Sequence, residues 1–167
     1  IFIVPFGVVM YFFISEIDKK IDFSEKERVG VEYITPVAAL MQHTIQYTGL
    51  LSVYFEKDAS FEERLKDLEE QINHDIQTID GEDNRLRNAL KTADEWKEIR
   101  DTWKELSAKT HSPGGSGFEE EHHLFYRSVI SLIIKAGDTS NLILDPDLDS
   151  YYLMDAFVNK LPMAADQ

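Results

Sequence analysis

Apolar residues recur every three or four positions along most of the chain, which is the spacing of an α-helix that buries one face. The pattern predicts helices over residues 33–55, 61–106, 119–136 and 146–161. These segments lack the strict apolar and polar alternation of half-buried strands. We therefore expect an all-α fold: an elongated antiparallel helical bundle, four-helix-bundle-like, with long helices.

Two of these helices contain positions at which a helix is expected to bend or stop. Pro36 removes a backbone hydrogen bond, so a bend or a break is expected near residues 30–36. Turn-forming residues at 80–83 and a capping box at 92–95 interrupt the second helix. The apolar stripe keeps its phase across both, which predicts two or three collinear helical pieces between residues 61 and 106.

The first segment, residues 1–14, is uncharged and strongly apolar. A helix that crosses a bilayer needs about 20 such residues, so we interpret 1–14 as the C-terminal part of a transmembrane helix. The polar residues 15–20 then mark the exit from the membrane. A signal-peptide core is the alternative, but the basic start and the small-residue cleavage site are missing. A buried amphipathic helix is disfavoured because the segment has no polar face.

The helix predicted over 146–161 begins with a dense group of capping residues. One aspartate accepts backbone N–H bonds, the next residue is a proline suited to the first helical position, and two more aspartates favour the positive end of the helix dipole. These structural cap residues are Asp145, Pro146, Asp147 and Asp149. The three aspartates also match the start of a calcium-binding EF-hand loop, but the positions that need Gly and Glu are Ser150 and Ala156. We therefore expect helix caps and no metal.

The charge balance excludes one class of partner. With 17 basic and 31 acidic residues, the formal net charge of −14 repels nucleic acid and anionic lipid surfaces. An apolar fraction of 43% is enough for a packed core. The chain has no cysteine, which rules out disulfides and thiolate metal sites.

Residues 119–123, Glu-Glu-Glu-His-His, are the richest group of potential metal ligands. Adjacent histidines on a helix point about 100° apart, so His122 and His123 do not share one ion, and a solvated first turn is expected instead. His43 and His74 stand alone in their helices, as packed or surface histidines do. The chain has neither a nucleophile motif nor a zinc motif. The sequence therefore predicts no enzyme, no metal and no cofactor.

Polar side chains that fall on apolar stripes are candidates for lining a ligand site inside the bundle. On the first and last helices these residues are Thr44, Tyr47, Thr48, Tyr151, Tyr152, Asp155 and Asn159. Tyrosines that pair across helices are the alternative explanation, because a buried tyrosine hydroxyl normally has an acceptor and Asp155 or Asn159 fits that role.

Four segments occur in a recognisable order: SEIDKKID, KERVGVEYITP, IQYTGLL and SNLILDPDLDSYYLMDAFVNKLP. With them the chain resembles, from about Ser15 to Pro162, the periplasmic sensing region of bacterial methyl-accepting chemotaxis proteins and related membrane-bound histidine kinases. The aspartate-rich DPDLDSYYLMD segment is the most specific part of the resemblance. Relatives commonly read Q-x-R-G where this chain reads Q-Y-T-G, so Thr48 replaces the arginine that would hold an anion.

The resemblance implies a domain of the bacterial inner membrane whose sensing part lies in the periplasm between two membrane helices. Residues 15–167 would form that extracytoplasmic sensor domain, truncated before its return helix. An unidentified small molecule or a periplasmic protein would shift one helix slightly against its neighbours, and the membrane helix would carry the shift inward. The alternative is a membrane-anchored helical scaffold, a protein-interaction module of the cell envelope with no small ligand.

Self-association is the last expectation from the sequence. The first helix carries two apolar stripes side by side, which is more apolar surface than four helices of unequal length cover. A homodimer is therefore expected, as most soluble oligomers pair through a two-fold axis.

Overall fold

The computed structural model of the protein describes residues 3–55, 61–110 and 118–142. In these ranges it contains four helices and no strand, which confirms the predicted all-α bundle. The helices are α1 (Ile3–Phe55), α2 (Glu62–Leu90), α3 (Ala93–Thr110) and α4 (Phe118–Thr139).

The first two helices run in opposite directions. Near the middle of α1, Tyr33 contacts Asp83 of α2. Further along α1, His43 contacts Asp75, which comes earlier in α2. Because residue numbers rise on one helix as they fall on the other, α1 and α2 are antiparallel.

α3 folds back along α2. The indole Nε1 of Trp96 donates to Asp80 Oδ1 at 2.7 Å, and that of Trp103 donates to Asn73 Oδ1 at 2.9 Å. The reversal takes place at Lys91, whose left-handed backbone (φ 55°) turns the chain between the helices. The expectation of collinear pieces between 61 and 106 is therefore wrong, although the interruption at 92–95 was correctly placed.

α4 runs antiparallel to both α1 and α3. On α1, Gly30 lies against Ser140 and Tyr47 lies against His122, so the order of contacts is reversed. The ion pairs between α3 and α4 show the same reversed order. The four helices thus alternate in direction, and α1 and α3 each pack against α2 and α4.

The core follows from the apolar stripes. Each helix contributes side chains spaced three or four residues apart, and these form one continuous cluster. The largest fully buried side chains of the protein are Trp96, Tyr33, Tyr47, Phe125, Leu40, Leu51, Ile72, Ile79, Leu90, Ile99, Leu132 and His122.

α1 is one uninterrupted helix, so of the bend or break expected near residues 30–36, the break is absent. Pro36 lies inside it and is half-buried. A proline inside a helix costs about 3 kcal/mol through the lost hydrogen bond and the ring clash. Tyr33 and Val37, on either side of it, are fully buried against neighbouring helices, and this packing holds the helical path through the proline.

α2 likewise continues through residues 80–83, where the turn residues predicted an interruption. Two of these residues make tertiary hydrogen bonds: Asp80 accepts one from Trp96, and Asp83 accepts one from Tyr33. The acidic side chains therefore stabilise the helix contacts at this point instead of ending the helix.

The N-terminal half of α1 extends beyond the bundle. No side chain of residues 3–29 is buried, and the large apolar residues among 3–14 are 40% to 84% exposed. At 1.5 Å per residue this segment is about 40 Å long. Within the described ranges, no helix has both the length and the apolar content needed to cross a membrane.

Several expectations lie outside the described residues. They are the helix over 146–161, its capping set Asp145, Pro146, Asp147 and Asp149, and the choice between capping and calcium at those aspartates.

Candidate functional site

Two of the predicted ligand-lining residues on α1 make hydrogen bonds within their own helix. The Thr44 hydroxyl donates to the Leu40 carbonyl at 2.7 Å, and Thr44 is fully buried. The Thr48 hydroxyl donates to the Thr44 carbonyl at 2.9 Å. Both donors are therefore engaged by α1 itself, which is a common way to satisfy a hydroxyl on a buried helix face.

Tyr47, the third predicted residue on α1, belongs to an aromatic cluster that joins three helices. Its ring lies 5.4 Å from that of Trp103, edge to face, and 5.8 Å from that of His122. Trp103 in turn packs against Phe125 at 5.6 Å. Such pairs add to the stabilisation from burial and fix the relative positions of α1, α3 and α4.

His122 corrects an expectation from the sequence, which placed it in a solvated first turn. It is fully buried, whereas the adjacent His123 is exposed. Burial lowers the pKa of His122 to about 4, although the nearby Glu121 carboxylate acts in the opposite direction. The imidazole is therefore neutral at physiological pH and packs as an aromatic ring.

A groove of about 430 Å³ lies between α2 and α3 beside this cluster. Its lining residues are Asn73, Ile76, Arg100, Asp101, Trp103, Lys104 and Ser107. Trp103 belongs to both the groove wall and the aromatic cluster, so it connects the protein surface with Tyr47 on α1.

The charges of the groove differ from those of the whole chain. Arg100 and Lys104 place two cations in its lining and Asp101 one carboxylate, in a protein whose formal charge is −14. The Arg100 guanidinium donates to Asp80 at 3.2 Å, and Asp80 also accepts the Trp96 indole N–H. The volume is within the range of small-molecule pockets. The lining therefore combines charged side chains of both signs with the apolar residues Ile76 and Trp103.

A second polar cluster lies where α1 enters the bundle. The Asp83 carboxylate is 4% exposed and accepts two hydrogen bonds on Oδ1, from the Tyr33 hydroxyl at 3.1 Å and from the Thr92 hydroxyl at 2.9 Å. Burial raises the pKa of Tyr33 well above its usual value. The phenol therefore stays protonated and remains a donor to Asp83.

α3 and α4 are tied together at the same end. Lys135 of α4 donates to Glu95 of α3, and this hydrogen bond lowers the pKa of the Glu95 carboxyl. Together with the hydrogen bonds to Asp83, this pair joins all four helices by polar contacts at the end of the bundle near Tyr33.

The sequence contains a signal for the burial of two carboxylates on α2. Asp75 and Asp83 fall in phase with the apolar stripe of α2, where a charged side chain is buried and needs a partner. The partners are His43, whose Nδ1 lies 2.6 Å from Asp75 Oδ2, and Tyr33. Neither partner could be assigned without knowing which helices are neighbours.

The remaining predicted site residues, Tyr151, Tyr152, Asp155 and Asn159, lie outside the described residues. Whether they approach Thr44, Tyr47 and Thr48 therefore stays a prediction. Within residues 3–55, 61–110 and 118–142, there is no group of three metal-ligating side chains close enough to hold an ion.

Comparison with known proteins gives no match: no protein-family model, no curated protein and no solved structure is significantly similar to this chain.

The burial of His122 predicts a pH-dependent loss of stability. Its pKa is about 4 in the folded protein and about 6.5 when unfolded, so the unfolded chain binds the proton more readily between these values. The contribution to stability is complete above pH 6.5 and falls as the pH drops towards 4, by roughly 3 kcal/mol at most. We expect His122→Phe to show a smaller loss than the wild type in urea unfolding over this range.

His74→Gln is the matched control, because His74 is an exposed histidine on α2. It should keep the wild-type pH dependence. An unchanged loss of stability in His122→Phe would contradict the prediction, since the proton would then be taken up elsewhere.

Proposed function

We propose that this protein is the extracytoplasmic sensing domain of a bacterial membrane receptor, either a chemoreceptor or a sensor kinase. The observation that carries the proposal is the continuity of α1. One end of this helix supplies core residues of the bundle, and the other end is exposed and apolar over residues 3–14. A single rigid helix that joins a packed domain to an apolar segment is suited to carry a displacement between them.

The resemblance of the SEIDKKID and DPDLDSYYLMD segments to chemoreceptor and sensor-kinase sensing regions supports the same role. In this proposal the bundle lies in the periplasm, residues 3–14 contact the inner membrane, and a small molecule or a periplasmic protein is the signal. The protein has no catalytic role of its own.

The groove between α2 and α3 is our proposed ligand position. A molecule that fills it contacts Trp103, and Trp103 contacts Tyr47 on α1. Ligand binding shifts α1 only if the ligand prefers one position of Trp103, because an equilibrium moves by the difference in affinity between two states.

A homodimer through α1 is the proposed assembly. Ile17, Ile21, Val31 and Ile45 are 41% to 60% exposed and fit one register with the seven-residue period of a helix pair, although the positions between them at 24, 28, 35 and 42 are polar. These apolar residues occur on both the extended segment and the part of α1 in the bundle, so a second copy of α1 can contact them at separate points along its length.

A membrane-anchored scaffold remains the second candidate. It is favoured by the open form of the groove and its mixed charges, which suit weak binding better than a closed apolar pocket does. The two candidates differ in whether the bundle responds to a small molecule.

A thermal-shift experiment with free amino acids, organic acids and sugars separates these two candidates. At about 1 mM, the weak end of specific binding, a sensing domain should gain melting temperature with at least one compound, because the ligand binds only the folded state. Arg100→Ala, in the groove, should lose the shift relative to its own baseline. Arg87→Ala, an exposed arginine outside the groove, should keep it. A bundle that responds to no compound in the panel supports the scaffold.

Membrane contact by residues 3–14 predicts flotation with phosphatidylcholine vesicles. Phe6→Asp together with Phe12→Asp should reduce the bound fraction at least tenfold, because two exposed apolar side chains no longer enter the bilayer. Leu124→Asp changes an equally exposed apolar residue on α4 and should leave flotation unchanged. Equal flotation of the double variant and the wild type would refute the contact.

The dimer is tested by sedimentation in a mild detergent that covers residues 3–14. At tens of micromolar, roughly the range of weak interfaces, the wild type should sediment as a dimer. Val31→Asp together with Ile45→Asp should shift it towards monomer, since buried unpaired carboxylates oppose association. Leu124→Asp again serves as control. A wild type that stays strictly monomeric argues against the dimer.

A further inference from the structure

The place where α1 leaves the bundle is marked by a very close helix contact. Residues 3–28 include no buried side chain, Val29 is half-buried and Gly30 is buried. A Cβ built on Gly30 would lie 2.1 Å from Ser140 Oγ and 2.6 Å from Leu142 Cδ1, at the end of α4. Only glycine fits here without movement, so the residues that directly follow α4 rest on the backbone of α1.

The end of α4 is itself held in place. The Ser140 amide donates to the Ala136 carbonyl at 3.0 Å, and the Ser140 hydroxyl donates to the Gly137 carbonyl at 3.2 Å. Asn141 then takes a left-handed backbone (φ 63°), which ends the helix and folds Leu142 onto the core. The part of α4 that contacts Gly30 is therefore an ordered helix end.

One turn further into the bundle, α1 is held by a different neighbour. Tyr33 is fully buried and donates to Asp83 of α2, which also accepts the Thr92 hydroxyl at the turn between α2 and α3. The two supports of α1, at Gly30 and at Tyr33, are about 4.5 Å apart along the helix axis.

We propose that these two contacts form a coupling joint that sets the direction in which α1 leaves the bundle. Tyr33 is the fixed point, and the ordered end of α4, which moves together with the rest of that helix, is the support at Gly30. A displacement of that end by about 1 Å tilts the extended part of α1 by roughly 10°. At Asp22, about 16 Å from Tyr33, this becomes a movement of roughly 3 Å.

The joint goes beyond the proposed receptor role, because it is a property of the fold and needs no ligand or membrane. If it fails its test, ligand binding at the groove still stands. If no ligand is found, the joint can still transmit a displacement of α4 from any other cause.

Because the chain has no cysteine, spin labels attach only to cysteines introduced at chosen positions. Spin labels are placed on Asp22→Cys in the extended segment and on Asn88→Cys near the end of α2, both at exposed positions. The labelled protein is diluted with unlabelled protein so that only distances within one chain are measured. In this background, Gly30→Ala introduces the Cβ that α4 has no room for, and the mean distance between the labels should change by about 2 Å or more.

Two further variants identify the cause of the change. Ser140→Gly in the Gly30→Ala chain removes the two nearest obstructing atoms and leaves only Leu142 Cδ1, the far end of a flexible side chain, so the distance should return towards the wild-type value. Gly81→Ala, at a helical glycine where a Cβ meets nothing within 4 Å, should leave the distance unchanged.

An unchanged distance in folded Gly30→Ala protein would overturn the joint, and so would a changed distance that Ser140→Gly does not move back towards the wild-type value. If Gly30→Ala does not fold, the single variant Ser140→Gly, with Gly30 unchanged, tests the proposal. It leaves a gap at the support, so the distance distribution should broaden, and a distribution as narrow as that of the wild type would refute the proposal.

Discussion

The buried carboxylate of Asp83 is the interaction on which the arrangement of the helices depends. It accepts hydrogen bonds from α1, through Tyr33, and from the turn before α3, through Thr92. A buried carboxylate without donors is strongly destabilising, so a shift of α1 by one turn along α2 would be opposed by the loss of the Tyr33 bond. Apolar stripes pack helices against each other without fixing their relative position along the axis, and this hydrogen-bond network fixes that position for α1 and α2.

Within the described residues, the segments predicted to be helical are helical, because apolar spacing depends only on local geometry. The sequence did not predict the reversal at Lys91, since a stripe keeps the same phase whether two helices continue in line or fold back on each other. Pro36 was interpreted as the site of a bend or a break because the local cost of a proline inside a helix is known. The packing of Tyr33 and Val37, which opposes this cost, involves other helices.

The candidate site shows the same limit. Tyr47 was identified by its polar group on an apolar stripe, but Trp103 and His122, which contact it, come from α3 and α4. These contacts depend on which helices are neighbours in the bundle. Thr44 and Thr48 were predicted as ligand contacts for the same local reason as Tyr47. Their hydroxyls donate to the α1 backbone, and a contact with a ligand stays a prediction.

The short turn between α2 and α3 has a consequence for how the chain folds. Thr92 and Asp83 are nine residues apart, and Trp96 and Asp80 are 16 apart, so these contacts close small loops at little entropic cost. The contact of Gly30 with the end of α4 joins residues about 110 positions apart. We expect the α2–α3 hairpin to form early and this contact to form late. The place where α1 leaves the bundle would then also be among the first to open when the native protein fluctuates.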